Sequence, residues 1–214
     1  MCKFYNKKTK NIVIGTDEVG RGALAGPVYA SSVIFYNSRM EKINNSFTQN
    51  IRDSKLLSAK KREKIYKCCI EKKIIFGIGV SSVEEIDELN ILKASMLAMV
   101  RSVKECISKL PKKIDDTLII FDGIYTPNDI SGPWDWNFKS VALKDGDNLI
   151  PEISCASVIA KVTRDNFMKS KSINYPYYEL EKNMGYGTKK HIYTLKKLGP
   201  TKIHRKTFKP IKSM

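Results

Sequence analysis

An α/β fold, with a mixed central sheet flanked by helices and a small helical C-terminal extension, is what this 214-residue sequence predicts. Three observations lead there. Short runs rich in Val, Ile and Phe read as strands. The first two follow one another in hairpin-like succession, whereas later ones alternate with helical patterns, which calls for both antiparallel and parallel pairing. After Pro176 the chain turns polar, helical and basic. With 42% hydrophobic residues it can bury one full core, so one domain over residues 1–214 is expected, residues 174–214 forming the extension.

The elements are expected in this order. A first strand over residues 11–16 is built on Ile12-Val13-Ile14, and a second covers residues 28–36. Ser58 can cap an amphipathic helix carrying Lys61, Arg62, Ile65, Tyr66 and Cys69. A strand over 74–80 precedes a helix over 90–110, where apolar residues recur at three and four until Pro111. Strands over 117–121 and 138–143 come next, and a helix over 151–171 follows. Ser154, Ala156, Ser157 and Ala160 give that last helix a small-residue surface able to lie close against its neighbour.

Composition narrows the partners. The formal net charge is +16, from 38 Lys and Arg against 22 Asp and Glu, which favours a polyanion because neutralised phosphates release counterions. Lys, Asn and Ile are frequent throughout, so biased coding is a competing explanation for the charge. The five cysteines are odd in number and form no CxxC pair, which points to a reducing compartment rather than disulfides or zinc. No run approaches the roughly 20 apolar residues of a membrane span, and no leader pattern opens the chain. A soluble cytoplasmic protein is expected.

The chemistry-bearing residues sit at strand ends and on one helix. Asp17 and Glu18 lie in Gly15-Thr16-Asp17-Glu18-Val19-Gly20-Arg21-Gly22, where hard oxygen ligands for a divalent cation stand beside backbone that can approach a phosphate or sugar. Neighbours on a strand face opposite ways, so both acids can serve one site only where the chain bends or the strand ends. Asp122 closes the run Leu118-Ile119-Ile120-Phe121 before Gly123, a position where open sheets gather ligands. Lys161 and Asp165 stand at i and i+4, so a helix packed on the strand ends can bring Asp165 to the same pocket. A solvated acidic turn, a turn Asp-Gly and an intrahelical ion pair are the blander readings of the three features.

These residues carry a family resemblance. Asp17-Glu18-Val19-Gly20-Arg21-Gly22, Asp53-Ser54-Lys55-Leu56-Leu57-Ser58, Phe121-Asp122-Gly123, Gly146-Asp147, the string from Ser154 to Asp165, Gly185-Tyr186-Gly187-Thr188 and His204-Arg205-Lys206-Thr207-Phe208 occur in an order and at intervals that resemble ribonuclease HII. The resemblance spans nearly the whole chain. It implies a ribonuclease H-like fold and a metal-dependent endonuclease that hydrolyses the RNA strand of RNA/DNA hybrids. It also implies nicking 5′ of ribonucleotides embedded in duplex DNA, leaving 5′-phosphate and 3′-hydroxyl ends. Asp17, Glu18, Asp122 and Asp165 are thereby implied as catalytic acids holding two Mg²⁺ or Mn²⁺ ions.

Further roles follow from the same resemblance. The backbone of Gly20-Arg21-Gly22 is implied to read the 2′-hydroxyl, Tyr186 to pack on a sugar at the junction, and Lys55 and Arg205 to contact the phosphate backbone. Where the family shows Lys-Gly-Asp, this chain has Lys144-Asp145-Gly146-Asp147, which leaves the part of Asp145 open. The related ribonuclease HIII carries an additional N-terminal domain, and about a dozen residues precede the first strand here. That favours HII, acting as a single chain. An HIII-like enzyme or another nuclease of the same fold is the alternative.

Overall fold

The computed structural model describes residues 12–35, 51, 57–110 and 117–214. Its centre is a five-stranded sheet of β1 (Ile12–Val19), β2 (Val28–Ile34), β3 (Ile75–Ser81), β4 (Thr117–Asp122) and β5 (Ser140–Leu143), in the order β3-β2-β1-β4-β5. The β1, β2 and β3 strands form an antiparallel meander, while β4 and β5 are parallel additions on the other side of β1. The sheet is mixed, as expected: β1 and β2, joined by a short loop, pair antiparallel, whereas β4, reached from β3 through two helices, pairs parallel with β1.

Both faces are covered. Helix α1 (Ala59–Glu71), helix α2 (Val83–Leu89), helix α3 (Ile91–Ser108) and helix α4 (Pro151–Ser172) precede the short α5 (Leu180–Asn183) and α6 (Lys189–Leu198). On one face Ile14, Ala30, Ile34, Ile119 and Phe121 pack against Met96, Met99, Val100 and Val103 of α3. On the other, Val33 packs with Cys155, Val158, Ile159 and Val162 of α4, and Val13 and Ile120 with Ile153. The strands therefore alternate strictly, with even positions of β1 facing α3 and odd positions facing α4.

Close helix-to-sheet approach has an identifiable cause. A Cβ on Gly15 would stand 2.5 Å from the Ile153 backbone nitrogen, and one on Gly79 only 1.9 Å from the Ala98 carbonyl oxygen. Glycine at these two points lets α4 and α3 seat directly on the sheet, the former through the small-residue surface read from Ser154 to Ala160.

The expected helix over 90–110 is preceded by one that the apolar pattern alone does not show. Ser82 caps α2 in a reciprocal capping box with Glu85, and Asn90, at φ 69°, ends it and caps α3 through its side chain. The Ser-x-x-Glu spacing was the legible signal. Beyond α4, Leu24, Ala25, Met168, Tyr178, Leu180, Leu195, Ile203 and Ile211 bury one another, so the helical extension packs onto the loop after β1. No helix among the described residues is long and apolar enough to cross a membrane.

Candidate active site

The carboxyl ends of β1 and β4 bring the first acids together. These strands run parallel with Thr16 opposite Phe121, so the next step of the register sets Asp17 beside Asp122, on the same face of the sheet. That face is the one α4 covers. The Ser157 hydroxyl hydrogen-bonds the Asp17 carboxylate, and the Gly146 amide donates to Asp122 Oδ1 at 2.7 Å. Glu18 leaves the opposite side of β1, but at its end, just before Gly20 turns the chain at φ 94°. Its Oε1 accepts from Arg21 Nη1 at 3.0 Å, and its own amide donates to Asp17 Oδ1 at 2.7 Å.

Electrostatics mark this trio as strained. Burial raises the Asp17 carboxyl well above its usual range, and the charges of Glu18 and Asp122 raise it further against the Ser157 hydrogen bond. Burial also raises Glu18, with Arg21 offsetting part of the effect and Asp122 adding to it. Among the described residues no three acidic, histidine or cysteine side chains already converge as a ready-made metal cluster. Arg21, Ser157 and the Gly146 amide instead engage the three acids separately. The donors are nonetheless all hard carboxylate oxygens, and a divalent cation between them would relieve the like-charge repulsion, so the set fits Mg²⁺ or Mn²⁺.

Asp165 stands apart from this trio. It lies eight residues beyond Ser157, about 12 Å along the helix axis, and forms an ion pair with Lys161 Nζ at 2.7 Å. The intrahelical pair is thus what the structure contains. A different acid lies beside the trio: Asp147 is 1% exposed and follows Gly146, the residue whose amide holds Asp122. Ser154 donates to the Asp147 carbonyl, tying this turn to the start of α4. The sequence signal for it is the Gly146-Asp147 pair.

The loop after β1 forms the rim. Arg21 and Gly22 are exposed, while residues 23–27 are buried. Ala23 pairs with Tyr186, and Ala25 with His204, as isolated antiparallel bridges. Tyr186 is half-buried, its ring facing Lys161 Nζ at 5.7 Å and the Arg164 guanidinium at 5.5 Å. Arg205 departs from expectation: it is fully buried, with its guanidinium donating to the carbonyls of Arg21 and Gly26 rather than pointing to solvent. Desolvation lowers its pKa to about 9. Lys206 beside it is exposed, and its amide donates to Asp87. Lys55 lies outside the described residues.

Known proteins resemble this chain in sequence and in fold. The family model for ribonuclease HII matches residues 14–211. A ribonuclease HII from Ehrlichia ruminantium (strain Welgevonden) is 44% identical over 99% of this chain and 91% of its own length. Among solved structures, the ribonuclease H2 from Pyrococcus horikoshii superposes with a TM-score of 0.70 at 24% identity, covering 94% of this chain and 96% of its own. Bst-RNase HIII, solved in complex with Mn²⁺, superposes with a TM-score of 0.71 at 16% identity, covering 94% of this chain and 68% of its own. The two structural likenesses concern the fold.

Proposed function

The chain belongs to the ribonuclease HII family, with the RNA-strand endonuclease activity of a ribonuclease H, and from that premise we propose that it nicks duplex DNA 5′ of an embedded ribonucleotide using two divalent cations. The observation that carries the reading is that Asp17, Glu18 and Asp122 lie within electrostatic reach of one another at the ends of β1 and β4, beside the exposed Arg21 and Gly22. When bound, Mg²⁺ or Mn²⁺ supplies positive charge for the scissile phosphate and its leaving oxygen and acidifies water. The Mn²⁺ complex of the HIII structure supports that choice of cation.

Four side chains would hold the cations: Asp17, Glu18, Asp122 and, in place of Asp165, the buried Asp147. Around them the protein supplies position. The Arg21 side chain, exposed at the rim while Glu18 is buried, is placed to turn from Glu18 to a phosphate. Backbone at Gly20-Arg21-Gly22 approaches the ribose closely enough to hydrogen-bond the 2′-hydroxyl, the one group that distinguishes RNA from DNA. Tyr186 offers an aromatic face to the neighbouring sugar. The +16 charge holds the duplex by its phosphates.

The test is to map cleavage of a DNA duplex containing one ribonucleotide, with Mg²⁺ or Mn²⁺, for the wild type and for Asp147→Asn and Asp165→Asn. A single nick 5′ of the ribonucleotide is expected. Asp147→Asn should lose at least about 100-fold in rate, the scale of removing a group that stabilises transition-state charge, while Asp165→Asn stays within a few-fold. The reverse ranking would return the fourth position to Asp165, and cleavage indifferent to the ribonucleotide would refute the reading.

A further inference from the structure

Two arginines are buried at the back of the recognition turn, and neither guanidinium is hydrogen-bonded to a carboxylate. Arg164, on α4, donates from Nε to Pro27 O at 3.0 Å, from Nη2 to Ala25 O at 3.0 Å and from Nη1 to Met184 O at 2.9 Å. Arg205, in the C-terminal segment, donates from Nε and Nη2 to Gly26 O at 2.9 and 2.8 Å and from Nη1 to Arg21 O at 2.8 Å. Both side chains are 0% exposed. Burying such cations is costly, and a loop needing only satisfied carbonyls could use smaller neutral donors. What the planar fork adds is geometry: several carbonyl oxygens are held at fixed relative positions by one rigid group.

Apart from that of Met184, which lies two residues before Tyr186, the carbonyls so held belong to the segment that begins at the recognition turn. Arg205 Nη1 grips the carbonyl of Arg21 itself, the middle residue of Gly-Arg-Gly, and the Arg205 amide donates to Leu24 O at 2.9 Å. Arg164 Nε would lie 2.2 Å from a Cβ on Gly20, so the other end of the turn rests against this second guanidinium, which also faces the Tyr186 ring. Gly185 O accepts from Leu24 and Ala25, closing the link between the turn and Tyr186.

We infer that Arg205 and Arg164 are positioning residues for ribose recognition, fixing the Gly20-Arg21-Gly22 backbone and the Tyr186 ring from behind. The inference rests on the reading that this turn meets the 2′-hydroxyl. It makes the expected phosphate contact of Arg205 unnecessary and gives the C-terminal segment a share in specificity without touching substrate.

Arg205→Lys keeps the charge and removes the fork, and Arg164→Lys does the same from the other side. For each, single-turnover cleavage of the one-ribonucleotide duplex gives a rate and a half-saturating concentration, and an all-DNA duplex used as competitor gives its inhibition constant. The expected result is a loss of roughly tenfold in the preference for the ribonucleotide-containing duplex, with the all-DNA inhibition constant within a factor of about two and a cooperative melt retained. A merely structural arginine would weaken both duplexes together. Equal losses on both, an unchanged preference, or variants of both arginines that no longer melt cooperatively would each overturn the inference. A wild type without ribonucleotide preference would show instead that the parent reading had failed, before either variant is compared.

Discussion

Replacing Gly22 by alanine isolates the approach of substrate to the turn from the folding of the turn. An ideal Cβ on Gly22 meets no heavy atom within 4 Å, the residue is exposed, and its φ lies outside the left-handed region. The free protein therefore loses nothing. By narrowing the unfolded ensemble, Gly22→Ala is worth about 0.4–1 kcal/mol in favour of folding, a Tm unchanged or raised by up to about 4 °C for a chain of this length. Substrate sees the same methyl differently, because it occupies the space a ribose must enter to reach the backbone. Losing one backbone hydrogen bond and leaving the 2′-hydroxyl without a partner costs about 1–3 kcal/mol, or roughly 5- to 150-fold in preference for the ribonucleotide. The assay is single-turnover nicking of a one-ribonucleotide duplex, with an all-DNA duplex as competitor and a thermal melt alongside. Gly20→Ala is the contrast: at φ 94° and 2.2 Å from Arg164 Nε, its methyl should lower both Tm and preference. A Gly22→Ala protein with unaltered Tm and unaltered preference would refute backbone reading at this residue.

Acid should loosen the C-terminal extension. His191 Nδ1–H donates to Tyr186 O, His204 Nε2–H donates to His191 Nε2 at 3.1 Å, and His204 Nδ1 accepts from the amide and hydroxyl of Thr201, so both rings are neutral. Burial, with His191 adding, lowers the His204 pKa to about 4 from its ordinary 6.5, so the unfolded chain binds the proton first and stability falls with pH through that window. About 2 kcal/mol should go between pH 7 and pH 5, read as the shift of the urea midpoint, and His204→Gln should flatten the slope. A variant with the wild-type slope would assign the loss to other groups. At the sheet, Gly79→Ala drives a methyl to within 1.9 Å of Ala98 O on α3 and should cost at least about 1–3 kcal/mol, lowering Tm by about 2 °C or more. A melt indistinguishable from wild type would show that α3 can lift off β3 without cost.

The sequence was most legible where a local rule acts alone. Five apolar runs became five strands, the capping serine at Ser58 and the three-and-four spacing before Pro111 marked helices, and the small residues of α4 announced its close seat on the sheet. Asp17, Glu18 and Asp122 were legible for a related reason: an acid directly after an apolar run stands at a strand end, and parallel neighbours place their ends side by side. What remained hidden depended on distance along an element or on burial. A spacing of four ties Asp165 to Lys161 wherever the helix lies, but only the docking of α4, with Ser157 over Asp17, shows that Asp165 stands about 12 Å beyond, whereas Asp147 lies one residue from the amide that holds Asp122. Arg205 reads as a surface cation in a basic tail, because the carbonyls that accept from its Nε, Nη1 and Nη2 belong to residues more than 170 positions away. Periodicity and composition are short-range signals and determined the elements, the fold class and the anionic strand ends. Which charged groups face substrate and which are buried behind it is a property of long-range packing, and the tertiary structure alone decided it.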